Sequence, residues 1–314
     1  MSNADKKIIG ILAMAYGTPS SVEEVEPYYT HIRRGRKPEP HQLQDLIDRY
    51  EAIGGLSPLN EITAKQAAGL ERTLNEMTAD QGTSYKVYTG MKHAHPFIEE
   101  TVEKMVADGI AEAIGVVWAP HYSVMSIGTY IKSAEEAIAK FGGPQTTFVK
   151  SWHVQPLFID STAKRVQAAL EQFDAGERDQ VRVFFTAHSL PERILQMGDP
   201  YPRQLEETAQ AVMAQLGHAN WATAWQSAGR TPEPWLGPDI LDVLRQMKEE
   251  GQTNVVICPV GFVSDHLEVL YDIDIEAQAL ARELGLKLVR PASPNDEDEF
   301  LRAVATAVLE QQDA

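Results

Sequence analysis

Eight short apolar runs punctuate this chain, each separated from the next by a longer stretch with helical character, and that alternation restricts it to an α/β fold. The runs are IIGILAMAY (8–16), YKVYTG (85–90), AIGVVWA (113–119), TTFVKS (146–151), VRVFFTA (181–187), WATAWQS (221–227), NVVICPV (254–260) and LKLVRP (286–291). Several are apolar almost throughout, as in parallel strands covered on both faces. Helical patterning lies around 61–78, 97–108, 128–141, 156–173, 202–216, 237–250 and 297–311. Pro202 suits a first helical position, and PNDEDEF places acids in a first turn. The alternation fits one closed barrel or two open sheets. The polar segment EQFDAGERDQ breaks the rhythm near 150–180 and favours two open parallel sheets. Two connections, 17–60 and 226–238, are longer than ordinary ones. In open α/β folds ligands bind beyond the C-terminal ends of the strands, so both are expected to wall a cleft.

At 314 residues, 43% hydrophobic and 23% charged, the chain is globular and long enough for two domains. Its 45 acids against 28 lysines and arginines leave a net charge of -17, which argues against nucleic acid or anionic lipid as a partner. Cys258 is the sole cysteine, so neither an internal disulfide nor a cysteine-built metal cluster is expected. The first apolar run is too short to span a bilayer and carries no convincing cleavage signal; it reads as the first buried strand of a cytoplasmic protein. No GxGxxG follows a strand and no GxxxxGK[ST] occurs, so a nucleotide site lacks its usual support.

Several residues have the chemistry and placement of a site. In FFTAHSLPERI, His188 ends a hydrophobic strand, where an imidazole can accept a proton or ligate a metal; capping a buried backbone group is the bland alternative. His121, in WAPHYS, ends another strand and is more simply structural. His188 followed by Ser189 does not make a hydrolase, because no GxSxG precedes a helix. In VGFVSDHLEVLYDIDIE, Glu268, Asp272 and Glu276 stand four apart. On an α-helix that spacing keeps them on one stripe. The stripe is either a solvated face or, if Glu268 points inward near His188, a mixed nitrogen and oxygen site for a divalent first-row metal with an oxygen ladder beyond it. Arg33, Arg34, Arg36, Lys37 and Arg49 form a basic island in an acidic chain, interleaved with Tyr28, Tyr29 and Tyr50. It suits a flat organic ligand with anionic arms, or else a loop of surface ion pairs. Trp225 and Trp235 flank a Pro- and Gly-rich turn and can wall a large pocket. Tyr16 follows the first strand.

Taken in order, AYGTP, HIRRGRKPEP, DRYEAIGGLSPL, FTAHSLPE, GDPYP, WQSAGRTPEPWLGPD and PVGFVSDHLEVLYDIDIE span nearly the whole chain and resemble segments of the ferrochelatase family, in its soluble Gram-positive branch. That resemblance implies an α/β fold of two similar Rossmann-like domains, each a four-stranded parallel sheet flanked by helices (the chelatase fold). The first domain would be residues 1–150, completed by a C-terminal helix at 292–314, and the second 151–291, with a porphyrin cleft between them. It implies insertion of Fe(II) into coproporphyrin III to give coproheme in coproporphyrin-dependent heme b biosynthesis, with release of two protons. The family's catalytic and metal-handling pair falls on His188 and Glu268, the outer acidic ladder on Asp272 and Glu276 in a partly π-helical element, and the residue near the metal on the opposite porphyrin face on Tyr16. Tyr16, Arg33, Arg49, Tyr50, Ser57 and Tyr130 match porphyrin-lining positions, and His266 becomes a supporting residue. No permanently bound cofactor and no [2Fe–2S] cluster are expected, Fe(II) being a substrate. The expected partners are coproporphyrin III and ferrous iron, without nucleic acid or a membrane span, acting on a monomer. A cobalt or nickel chelatase, or a non-catalytic porphyrin carrier, would use the same residues differently.

Overall fold

The computed structural model describes residues 7–229 and 231–313. The charged prefix and Arg230 of the WQSAGRTPEPWLGPD segment lie outside them. The eight apolar runs become eight strands: β1 Lys7–Ala15, β2 Thr83–Met91, β3 Glu112–Val117, β4 Gln145–Val149, β5 Arg182–His188, β6 Trp221–Gln226, β7 Asn254–Cys258 and β8 Lys287–Val289. They form two four-stranded sheets, ordered β2-β1-β3-β4 and β6-β5-β7-β8, with every pairing parallel. This is the expected α/β fold of parallel sheets flanked by helices, and two separate sheets replace the barrel alternative. The central strands are buried on both faces: Ile9 through Ala15 in β1 and Val255 through Cys258 in β7 all lie inside. Double-sided burial is what makes these runs apolar without alternation.

The helices are α1 Val25–Ile32, α2 Pro40–Ala52, α3 Leu59–Met77, α4 Ile98–Ala107, α5 Ile127–Phe141, α6 Pro156–Leu170, α7 Arg193–Gln196, α8 Tyr201–Leu216, α9 Ile240–Glu249, α10 Gln278–Leu284 and α11 Asp298–Gln312, with a π-helix over Val269–Ala277. Two differences from the sequence reading matter. The 17–60 segment is no irregular wall: α1, α2 and the start of α3 occupy most of it. Pro40 opens α2, the Gln42 side chain takes the Glu39 amide at 3.1 Å, and Leu43, Leu46, Ile47 and Tyr50 supply a helical stripe. The element after Glu268 is π-helical, as the resemblance implies and in place of the α-helix on which the spacing argument was drawn. Its inner residues Ile273 and Ala277 sit in a core with Phe184, Leu244, Val255, Ile257 and Leu286.

The chain divides into two compact units, Met1–Trp118 with Ser126–Trp152 and Asn295–Ala314, and Ala119–Met125 with His153–Pro294. The segment 119–125 thus groups with the second unit, away from the first region to which sequence order assigns it. In the second unit Asp199 holds that segment, accepting from Ser123 Oγ at 2.9 Å and Val124 N at 2.8 Å. In the first unit α11 packs on α3. Phe300 is fully buried between the rings of Trp118 and Trp152, Arg72 pairs with Asp298 at 2.6 Å, and Tyr85 donates to Gln312 at 2.6 Å.

Candidate active site

In the second unit the loops after β5 and β7, neighbouring strands at the centre of the sheet, converge on one place. That is where the strand order reverses, the usual ligand edge of an open parallel sheet. His188 is the last residue of β5, and Ser189 fixes the turn after it. The Ser189 amide donates to the Gln226 carbonyl at 2.7 Å and its buried hydroxyl to the Leu236 carbonyl at 2.8 Å. Ser189 is therefore structural, as the absence of a nucleophile motif implies. After β7 the chain passes so close to β5 that a Cβ on Gly261 would lie 2.4 Å from Ala187 Cβ and 2.7 Å from its Cα. Glycine at 261 allows that approach, and the loop then carries His266 and Glu268 to the end of β5.

His188 Nε2 stands 3.6 Å from Glu268 Oε1, and His266 Nε2 stands 3.7 Å from Glu268 Oε2. One carboxylate therefore lies between two imidazoles. Each imidazole is oriented by its other nitrogen: His188 Nδ1–H donates to the Ser189 carbonyl, and His266 Nδ1–H to the Ser264 carbonyl at 3.0 Å. Both Nε2 atoms are thereby left facing the carboxylate. Burial disfavours charge on His188, but the Glu268 carboxylate, the Ser189 carbonyl and Asp272 outweigh it, raising its pKa to about 9. Burial likewise disfavours charge on Glu268, and the two imidazoles overcome it, holding the carboxyl far below its ordinary range. The resting pair is an imidazolium and a carboxylate, about a third exposed (33% and 36%) and so open to water.

Neighbouring groups that sequence reasoning missed hold this pair. Tyr201, buried at the start of α8 and packed on Trp225, donates its hydroxyl to the His188 carbonyl at 3.1 Å. Burial, with Glu268 and Asp199 nearby, pushes the Tyr201 phenol well above its usual pKa, so it remains a donor. Gln226 reaches the Glu268 carbonyl at 3.5 Å and accepts from Thr186 Oγ1 at 2.7 Å. No spacing rule announces Tyr201 or Gln226; the GDPYP and WQSAGR segments were the available signals.

The acidic stripe divides. Asp272 is 6% exposed and accepts from the Ser227 hydroxyl, whereas Glu276 is exposed. A uniformly solvated face is therefore not what forms. Ser227 itself has φ 60°, a left-handed backbone that glycine adopts with less strain. The Trp235 ring lies 6.4 Å from that of His188. His121 is structural: fully buried, it donates from Nε2 to Thr208 at 2.9 Å, and burial with His153 nearby drives its pKa down to about 3.

In the first unit, Tyr16 follows β1 and is 41% exposed, its ring 4.5 Å from that of His93. Arg33 lies over the Tyr29 ring, a cation–π contact, and Lys37 pairs with Glu26 at 3.0 Å on the surface. Arg33 and Arg49 are half-buried. Tyr50 is buried and shares a hydrogen bond with Thr18 at 3.1 Å; Ser57 is buried and accepts from Leu59 N at 3.3 Å; Tyr130 is buried beneath the Lys92 ammonium.

Among the described residues no three or more His, Cys, Asp or Glu side chains form a metal cage, and no helix is long and apolar enough to cross a membrane. A strand-end imidazole paired with a carboxylate, with water access and a second imidazole behind it, has the chemistry to accept and release protons and offers nitrogen and oxygen donors that suit a divalent first-row cation. The ferrochelatase family model matches residues 8–312. Coproporphyrin III ferrochelatase of Geobacillus thermodenitrificans is 50% identical over 307 residues, covering 98% of this chain and 96% of its own; that of Bacillus subtilis is 48% identical over 307 residues, covering 98% of each. Among solved structures, the sirohydrochlorin chelatase SirB of Bacillus subtilis with Fe3+ shares the fold at a TM-score of 0.60 and 13% identity, covering 97% of this chain and 95% of that one. This chain belongs to the ferrochelatase family.

Proposed function

We propose that the protein inserts Fe(II) into coproporphyrin III, releasing two protons and forming coproheme, and that its two units are Rossmann-like domains of the chelatase fold. The His188–Glu268 pair at the end of β5 carries the assignment. Metal insertion exchanges one divalent cation for two pyrrole protons, so the site must pass protons and cations in opposite directions. An imidazolium held beside a carboxylate does both once its proton is shed. Approach of Fe(II) favours loss of the His188 proton to water, and the freed Nε2 can then accept a pyrrole proton or bind the metal transiently. Glu268 remains a carboxylate throughout and supplies the negative charge that either the imidazolium or the arriving cation can face. Asp272 and Glu276 are assigned to the metal's approach, and Tyr16 to the opposite porphyrin face. Arg33, Arg49, Tyr50, Ser57 and Tyr130 are assigned to the porphyrin. Guanidinium groups pair well with propionates, and coproporphyrin offers four of them. The substrates are coproporphyrin III and ferrous iron, without nucleic acid, acting on a cytoplasmic monomer.

Anaerobic absorbance assays with Fe(II), Co(II) and Ni(II), each on coproporphyrin III and protoporphyrin IX, test this directly. Fe(II) with coproporphyrin III is expected to be turned over, and His188→Ala and Glu268→Gln to lose insertion by two orders of magnitude or so while porphyrin binding persists. Near wild-type insertion in either variant would remove that residue's role. Tight porphyrin binding without insertion by the unaltered protein would make it a carrier.

A further inference from the structure

We infer that Arg290 is a positioning residue for the His188–Glu268 pair, clamping together the two ends of the segment that carries Glu268. Arg290 follows β8, at the edge of the second sheet, and its side chain is 13% exposed. Its Nε and Nη2 donate to the two carboxylate oxygens of Asp274 at 2.6 and 2.7 Å, a two-pronged fork. Its Nη1 lies 3.3 Å from Asp265 Oδ1, which also accepts from Ser293 Oγ at 2.7 Å. The same Nη1 reaches the Pro291 carbonyl at 3.2 Å and Ser293 Oγ at 3.3 Å, which holds the guanidinium in its plane.

The two carboxylates are placed on either side of the reacting pair's carrier. Asp265 immediately precedes His266 and stands three residues before Glu268, in the loop; Asp274 lies within the π-helix, two residues beyond Asp272. One guanidinium therefore spans the junction where loop becomes π-helix, the junction at which Glu268 sits. A π-helix is a rare, strained form that persists where surrounding contacts fix it. Inside, Ile273 and Ala277 anchor it to the core; at its polar edge, Arg290 supplies the cross-link. Without the clamp, the turn can relax toward α-helical geometry. That relaxation rotates Glu268 away from His188 and His266 while leaving the sheet intact. A lysine at 290 cannot substitute, because a single ammonium cannot grip both oxygens of Asp274 and also reach Asp265.

The test uses Arg290→Gln, with Asp274→Asn as a second route to the same break and Val166→Ala, a buried truncation in α6 of the same unit, as a control for general destabilisation. Crystal structures of the folded variants are expected to show the His188 to Glu268 separation opened past about 5 Å, outside ion-pair reach. The kinetic arm rests on the proposed iron insertion: kcat/KM for Fe(II) should fall about tenfold with porphyrin Kd within about twofold, and Val166→Ala should leave both unchanged. Arg290→Lys should behave like Arg290→Gln. An unchanged His188–Glu268 separation in either clamp variant, or a loss in Val166→Ala matching that in Arg290→Gln, overturns the inference. If the unaltered protein inserts no iron, the proposed function fails, while the crystallographic arm still decides the clamp.

Discussion

At His188 burial and a neighbouring carboxylate pull in opposite directions, and the carboxylate wins. The consequence has a definite sign. The folded pKa, about 9, lies above the ordinary value near 6.5, so the pair's contribution to stability is complete below about pH 6.5 and is lost as pH rises through about 9. Glu268 acts at the other end: its depressed pKa stabilises above the ordinary carboxylate range near 4.3, and that contribution is lost as pH falls toward its folded value. Thermal melts across pH should show the alkaline loss in the unaltered protein and a much smaller one in Glu268→Gln. In that variant NMR titration should find the His188 imidazole titrating closer to 6.5. An imidazole still titrating near 9 would mean that Glu268 is not what raises it. Metal binding and proton uptake both need neutral imidazole, so insertion by the free enzyme should quicken with pH toward 9. Cys258, buried at the end of β7 with its thiol pushed up to about 12, should resist alkylation until the protein unfolds.

The π-helix and the turn facing it set the next scale. Ser227 has a left-handed backbone and donates its hydroxyl to Asp272. Replacing it with glycine has two effects of opposite sign: the backbone relaxes, gaining up to about 1 kcal/mol of stability, while the buried Asp272 carboxylate loses the Ser227 hydroxyl, at a cost of about 1–3 kcal/mol. Ser227→Gly should melt within a few degrees of the unaltered protein, because the two effects offset, yet show a raised KM for Fe(II). An unchanged KM would take Asp272 out of the metal's approach. Gly261→Ala should destabilise by about 1–3 kcal/mol and slow insertion, because the loop bearing Glu268 must move off Ala187. At this scale the sequence was readable in part, and the reasons differ by element. The strands could be read because β1, β5 and β7 are covered on both faces and so are continuously apolar. Helix α2 went unread: its stripe of Leu43, Leu46, Ile47 and Tyr50 is thin and surrounded by charge. Four-residue spacing of Glu268, Asp272 and Glu276 suits both helical forms, since the fourth residue falls just past one α turn and just short of one π turn. Only the family resemblance pointed to the π form. His188 and Glu268 stood out by their placement at strand and helix boundaries. Tyr201, Ser227 and Arg290 act through contacts with residues far away in sequence, which no local pattern encodes.

Across the whole molecule, the two sheets repeat one strand order, and the first unit is finished by residues from the far end of the chain. Helix α11 contributes the buried Phe300, Leu301, Val304 and Val308 to that unit. Phe300→Ala should cost about 3–5 kcal/mol, read by denaturant melts of the full chain. A loss below about 1 kcal/mol would show that the Trp118 and Trp152 rings close over the gap. The placement of α11 also bears on birth order. A ribosome adds about 5–20 residues each second, and units fold as they emerge. The second unit, ending at Pro294, has all its strands before α11 exists. The first unit begins earlier and is completed later, since its core includes side chains from residues 298–312. The half of the molecule made first is thus the half whose core is closed by residues made last.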